Sequence, residues 1–296
     1  MKKNTNMVLK KVDREKAPLL TRLSRYKKPL LYTVMILIAI GQLFPLVWLI
    51  NYSLLRSGEL FGAQFIKWPD IPMWSNYVRA WIQGNIPRYF LNSIIVVCSS
   101  VLLTVICSFL LAYACTRMEW KLRSTVYGLV LLGMTIPIHA TLLPNFMLFN
   151  RVGILDTYWG LIIPYTAFSL PFSTLIFSGF LSSFPRTFEE SAMIDGCSMW
   201  GILARIIAPN TKPAVITVAI MAFVNNWNDF IMANTYISTQ SLLTLPFSVI
   251  KFMGEYSGDY AAQFACMVFA AFPTLFLYAF LNKYITEGVT MTGIKG

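Results

Sequence analysis

Six stretches of the chain, residues 29–51, 90–115, 124–149, 158–182, 212–236 and 260–282, are almost continuously apolar. Each is long enough for a helix to cross a hydrocarbon core about 30 Å thick, which takes about 20 residues. None shows the strict alternation of a lipid-exposed barrel strand. Lipid offers backbone amides no partner, so a crossing segment must bond internally, and the pattern predicts helices. The fold class expected is an all-α membrane protein with six transmembrane helices at 29–284. A tail at 1–28 precedes them, and a second tail at 285–296 follows.

One polar interval has organisation of its own. Residues 185–209 read PRTFEESAMIDGCSMWGILARIIAP and carry Arg186, Glu189, Glu190, Asp195 and Arg205. Proline at the start and acids in the opening turn predict a short helix ending near Asp195. Gly196 terminates it, and Ser198 caps a second helix. Met199, Ile202, Leu203, Ile206 and Ile207 then recur at helical spacing until Pro209. Two short helices joined at a glycine corner are too charged and too short to span a bilayer. This 183–211 loop reads as a docking surface or as an ordinary interfacial loop.

Charge sets the expected orientation. Only 12% of residues are charged against 56% hydrophobic, yet the net charge is +11. Ten of the 24 Lys and Arg residues lie in the first 28 positions. Placing that tail in the cytoplasm puts 18 basic residues inside and leaves 6 outside, so both termini are expected inside. The basic balance therefore reports topology and contact with membrane lipids, not nucleic acid. The first apolar run exceeds a signal core and lacks a small-residue cleavage site, so it is expected to stay as a span. Cys98, Cys107, Cys115 and Cys266 fall in spans and Cys197 in the loop. None has metal-ligand spacing, and no metal site is expected.

Between the first two spans, residues 52–89 are rich in aromatics, including Phe61 and Phe65. Trp74, Tyr77, Val78, Trp81 and Ile82 share one helical face there. That face suits a short helix lying at the outer interface, or contact with an external partner.

Within the spans, Pro137 and Pro144 flank His139 and predict a kinked or broken third span, and Pro164 and Pro171 a bent fourth. His139 either faces a polar pathway or bonds a carbonyl that the prolines free. The fifth span carries Asn225, Asn226, Trp227, Asn228 and Asp229. An aspartate at a span centre costs about 2.5–3.5 kcal/mol on insertion scales, so it needs a reason. As one helix, the span would set Asn225 and Asp229 on a common face. Amides and a carboxylate suit sugar hydroxyls, and Trp227 suits an apolar sugar face. The same groups would equally serve as glue between helices.

The chemistry that is missing narrows the field. No G-x-x-x-x-G-K-[ST] loop is present to cradle nucleotide phosphates, and no H-E-x-x-H or G-x-S-x-G motif appears. Glu189 and Glu190 are adjacent, so on a helix they point about 100° apart and form no shared acid/base site. Six spans with no visible internal repeat argue against a single-chain ion-coupled transporter.

The 183–211 loop resembles the signature of permease subunits of bacterial ABC importers: an E-A-A triplet, a glycine, then I-x-L-P. Here it reads Glu190-Ser191-Ala192, Gly196, and Ile206-Ile207-Ala208-Pro209, with Asp195 completing the D-G of the sugar-importing branch. Ser191 and Ala208 depart from the pattern by small or apolar exchanges. LAYACTR, TIPIHATLLPNF, WNDF and the terminal G-x-x-x-T-G-x-K-G extend the resemblance over residues 29–296, to the second-permease type of maltose-like carbohydrate importers. The resemblance implies the type I importer permease fold and a subunit without catalysis of its own. It also implies a homologous second permease, two ATPase subunits that bind ATP and Mg, and an extracytoplasmic sugar-binding protein.

For the loop, the resemblance implies that Glu190, Ser191, Ala192, Asp195, Gly196, Met199, Ile206 and Pro209 form the ATPase-coupling element. Glu190 would pair with a basic ATPase residue, and residues 199–207 would pack the loop back on the span ends. Gly293, Ile294, Lys295 and Gly296 would reach the ATPases. A membrane scaffold holding a cytoplasmic partner is the alternative function. Polar solutes such as glycerol phosphates are the alternative cargo.

Overall fold

The computed structural model describes residues 29–60, 67–253 and 258–293, with side chains to residue 280. The basic tail, Phe61, Phe65 and the terminal Ile294, Lys295 and Gly296 therefore lie outside the described residues. Among those described, the chain is helical and no strand occurs. The spans are α1 (Pro29–Ser53), α3 (Ile86–Thr116), α6 (Trp159–Ser183) and α12 (Tyr260–Gly293), with two broken ones. Span three is α4 (Arg123–Leu132) and α5 (Leu142–Val152), bent by 96° at the residues between them. Span five is α10 (Lys212–Trp227) and α11 (Ile231–Tyr236), interrupted at residues 228–230.

Proline and polar positions account for the breaks. Ile136 and Pro137 are extended, as proline and its predecessor prefer. Pro144 sits in the first turn of α5, where no intrahelical amide bond is lost. Pro164 and Pro171, in contrast, lie inside an α6 that runs unbroken for 25 residues, and both are buried against neighbouring helices. The sixth span was expected to end near Lys283. The α12 helix instead continues to Gly293, because ITEGVTMT offers no proline to stop it.

α3 and α6 form the central pair. On α3 the buried positions Ser100, Thr104, Ser108 and Ala112 recur every four residues, a stripe of small side chains that lets α6 approach closely. The core divides along the bundle. One cluster, with Tyr89, Val96, Leu161, Trp227, Tyr236 and Leu245, fills the end carrying the 237–259 segment. The other, with Tyr113, Phe177, Leu181, Ile202, Leu203 and Ile207, fills the end carrying the 183–211 loop. By contrast, residues 29–45 of α1 are exposed throughout.

The short helix α2 (Ser75–Gln83) forms where the aromatic pattern predicts one, but its face is divided. Trp74, Val78 and Ile82 are exposed, whereas Tyr77 turns inward against Phe269 and hydrogen-bonds Ser53 at 2.7 Å. Buried Asn76 explains the rotation: its amide donates to the carbonyls of Ser53 and Leu55, both at 2.8 Å, satisfying groups freed at the end of α1. Arg79 on the same helix is ion-paired with Asp259, just ahead of α12.

At that end Asp156 ties two connections together from the left-handed region (φ 59°). Its carboxylate accepts from the amides of Ser238 (2.8 Å) and Thr239 (2.9 Å) and from the Thr239 hydroxyl (2.6 Å). Partial burial pushes the carboxyl up, but these bonds outweigh it and hold it below the ordinary value. A depressed carboxylate stabilises the fold above its unfolded pKa, and that stability is lost as pH falls through the folded value. Asp156→Asn, which tolerates the same φ, should therefore cost about 1 kcal/mol at neutral pH. In thermal melts of the detergent-solubilised chain, the gap to wild type should shrink as the pH drops below about 4.

Candidate functional site

The 183–211 loop folds from its local signals. α7 (Thr187–Ile194) ends in a full glycine cap. Gly196 takes φ 80°, its amide donates to Met193 O (3.1 Å), and the Cys197 amide reaches back to Ala192 O (2.9 Å). Ser198 then accepts from the Gly201 amide at 3.2 Å and starts α8 (Met199–Ile202). A π-helical turn, Leu203–Ile207, follows and leads into α9 (Ala208–Asn210). The second helix thus passes Pro209 by one residue, since a proline at an N-terminal position is compatible with a new helical turn. At Thr211 the chain bends by 75° into α10.

The loop has an inner and an outer face. Ile202, Leu203, Ile207 and Ala192 are buried against the ends of α3, α6 and α10, with Ile206 half-buried. Met199 does not join them: it opens α8 at the far corner and stays exposed. Outward face Glu190, Ser191, Asp195, Gly196 and Pro209, together with apolar Met193, Ile194 (86% exposed) and Trp200 (71% exposed). Glu189 points the other way and is buried. Sequence reasoning did not single out Glu189, although its 100° offset from Glu190 lets the two differ in burial.

The second candidate site is a cavity of about 380 Å³ where the breaks of spans three and five meet. Ile138 and His139 come from one break, Asn225, Asn226, Asp229 and Met232 from the other, and Tyr165, Phe168 and Ser169 from α6. His139 is exposed to this space and lies within electrostatic reach of Asp229. Its imidazole lines the cavity instead of packing away.

The polar cluster of span five divides between the two roles that its sequence left open. Asn225 is exposed in the cavity. Asp229 borders it too, but not as an i+4 neighbour on one helix, because α10 stops at Trp227. Asp229 Oδ2 accepts from the Tyr165 hydroxyl (2.8 Å) and from the amides of Met232 (3.1 Å) and Ala233 (3.3 Å). The carboxylate therefore caps α11 in the middle of the bundle, which supplies the reason for its presence.

The remaining three residues hold structure. Buried Asn226 donates to Ser100 Oγ at 3.0 Å and ties α10 to α3. Trp227 is buried, stacks on Phe223 and donates its indole N–H to Ala270 O at 3.0 Å, tying α10 to α12. Asn228 points outward and donates to Val224 O of its own helix at 2.9 Å. Tyr165 and Ser100, which complete the cluster, carried no sequence signal beyond lying in apolar spans.

Residues 104–290 match the family of binding-protein-dependent transport system inner membrane components. The chain belongs to that family. A sulfoquinovosyl glycerol transport system permease protein, SmoH of Agrobacterium fabrum, is 33% identical over 91% of this chain and 94% of its own length. A trehalose/maltose transport system permease protein, MalG of Thermococcus litoralis, is 31% identical over 91% and 98%. Among solved structures, a bacterial ABC transporter involved in import of the acidic polysaccharide alginate superposes with a TM-score of 0.76. That match has 20% identity and covers 88% of this chain and 96% of the other, and it shows the fold: an ABC importer permease. The protein is accordingly an inner-membrane transport component, and its family is one of permease subunits.

The division of labour within span five is open to measurement. Asp229→Ala removes the cap of α11 and should destabilise the solubilised permease by about 1–2 kcal/mol. Asn225→Ala, at a cavity wall, should leave the melting temperature unchanged.

Proposed function

We propose that this permease forms one half of the translocation pathway of an ATP-driven, binding-protein-dependent importer for sugars, in particular oligosaccharides. A homologous permease supplies the other half. Two ATPase subunits carry ATP and Mg, and an extracytoplasmic binding protein delivers the cargo. Both termini and the 183–211 loop face the cytoplasm in this reading, in keeping with the distribution of Lys and Arg. The observation that carries it is the outer face of the loop. Glu190 and Asp195 stand beside exposed Ile194 and Trp200 on an element whose inner face is fixed to the bundle. A charged and apolar surface of this kind fits docking into a cleft of a motor protein, and this chain has no nucleotide-binding loop of its own.

The lining of the cavity supports sugar as cargo. Asn225, His139 and Ser169 present hydrogen-bonding groups, and Phe168 and Phe172 present apolar rings. It contains one carboxylate and neither Lys nor Arg, which favours neutral over anionic sugars. An apolar groove of about 640 Å³ between α3, α10 and α12, together with the uncovered α1, supports a second permease alongside.

The test is purification from the membrane with neighbouring subunits intact. An ATPase should accompany the permease, and its hydrolysis should rise with loaded binding protein. Gly196→Pro cannot adopt φ 80° and should abolish that stimulation, whereas Gly196→Asn, which tolerates the left-handed region, should keep most of it. Asn225→Ala should lower uptake severalfold in an assembled complex. Transport by a complex that contains no ATP-hydrolysing subunit would refute the proposal.

A further inference from the structure

At the loop end of the bundle, one guanidinium joins three elements. Arg117, which follows α3, places Nη1 3.2 Å from Glu189 Oε1 of α7. Its Nη2 donates to the carbonyls of Leu181 and Phe184 (2.6 Å to the latter) at the end of α6, where Leu181 O also accepts the Phe184 amide. Tyr113, one turn back on α3, donates its hydroxyl to Glu189 Oε2 at 3.1 Å. The side chains of Arg117 and Glu189 are only 4% and 8% exposed, so neither can reach a partner protein. Tyr113 belongs to the same buried apolar cluster as Ala192, Phe177, Leu181 and Ile207.

We propose that Arg117, Glu189 and Tyr113 are positioning residues: an internal strut that fixes α7 rigidly to the ends of α3 and α6. A force applied to the outer face of the loop then moves those spans instead of being lost in rotation of α7. A buried ion pair is a poor source of net stability, because desolvation offsets its attraction. It is a good source of fixed geometry, since Arg117 pairs with Glu189 while donating to two carbonyls in one orientation. α7 has pivots at both ends, Pro185 before it and Gly196 after it, and Arg186 adds only a 3.4 Å bond to Thr116 O. Without the strut, α7 is held to the bundle by buried Ala192 and by Phe188, whose ring stacks on Phe184.

This inference rests on the coupling role proposed above, and two readouts on the intact complex separate the two. The first is hydrogen exchange at residues 187–195, which needs no ATPase activity. The second is the ratio of binding-protein-stimulated to basal ATP hydrolysis. Glu189→Gln keeps the shape and removes the charge. It should speed exchange in α7 at least tenfold and lower the ratio at least tenfold, with ATPase subunits still bound. Tyr113→Phe removes one hydroxyl and should shift both readouts in the same direction by two- to fivefold, and it decides the matter if Glu189→Gln does not assemble. Unchanged exchange in α7, or a wild-type stimulation ratio in Tyr113→Phe, would overturn the strut. A wild-type complex with no ATPase activity would instead overturn the coupling role, leaving exchange alone to judge the strut.

Discussion

The structure depends on a single demand of its solvent: every backbone amide and carbonyl at membrane depth needs a partner inside the protein. α3 and α6 meet it by running continuously. Spans three and five do not, and the groups they free have to be satisfied elsewhere. Asp229 does this for span five, taking two amides of α11 and the hydroxyl of Tyr165. A carboxylate that would be costly on an intact helix becomes useful at a broken one, where it meets the positive end of a short helix. The two breaks face each other, and the space between them is the polar cavity. The cavity is thus a consequence of where the helices stop.

The remaining polar groups keep the bundle from collapsing into that space. Asn226 and Trp227 fasten α10 to α3 and α12 just below the break. Above it, the Asp156 bonds and the Arg79–Asp259 pair fasten the connections. Helix association in lipid gains little from burying apolar surface, so close packing and specific hydrogen bonds carry a larger share than in water. The small-residue stripe of α3 serves the first, and the interhelical amides serve the second.

Much of this was legible in the sequence, because length and hydropathy fix spans and the loop carries its own caps. Gly196 and Ser198 act locally, and both do in three dimensions what their residue types predict. Legibility ended where a choice depended on which neighbour lies across a helix. Asn225, Asn226 and Asp229 look alike along the chain, yet one lines a wall, one bonds Ser100 and one caps α11. Tyr77 shares a helical face with Trp74 and Val78 along the chain, but the inward pull of Asn76 toward α1 rotates it against the core. Glu189 and Glu190 differ by one position and by burial. Arg117 reads as a simple boundary marker until the ends of α6 and α7 are brought to it.

α10 brings the two candidate sites into one mechanical frame. Its first residue follows the 75° turn that ends the loop, and its last precedes the break at Asp229. At 1.5 Å per residue its 16 residues span about 24 Å, so the loop and the cavity lie at opposite ends of one helix. α3 runs alongside it, held to the loop by Arg117 and to α10 by the Ser100–Asn226 bond. If the proposed coupling role holds, small rotations of the loop relative to the bundle would reach the cavity through two contacting helices tied together near the break. Because packed helices shift between discrete arrangements and resist gradual deformation, such a pair would move the cavity wall as a unit.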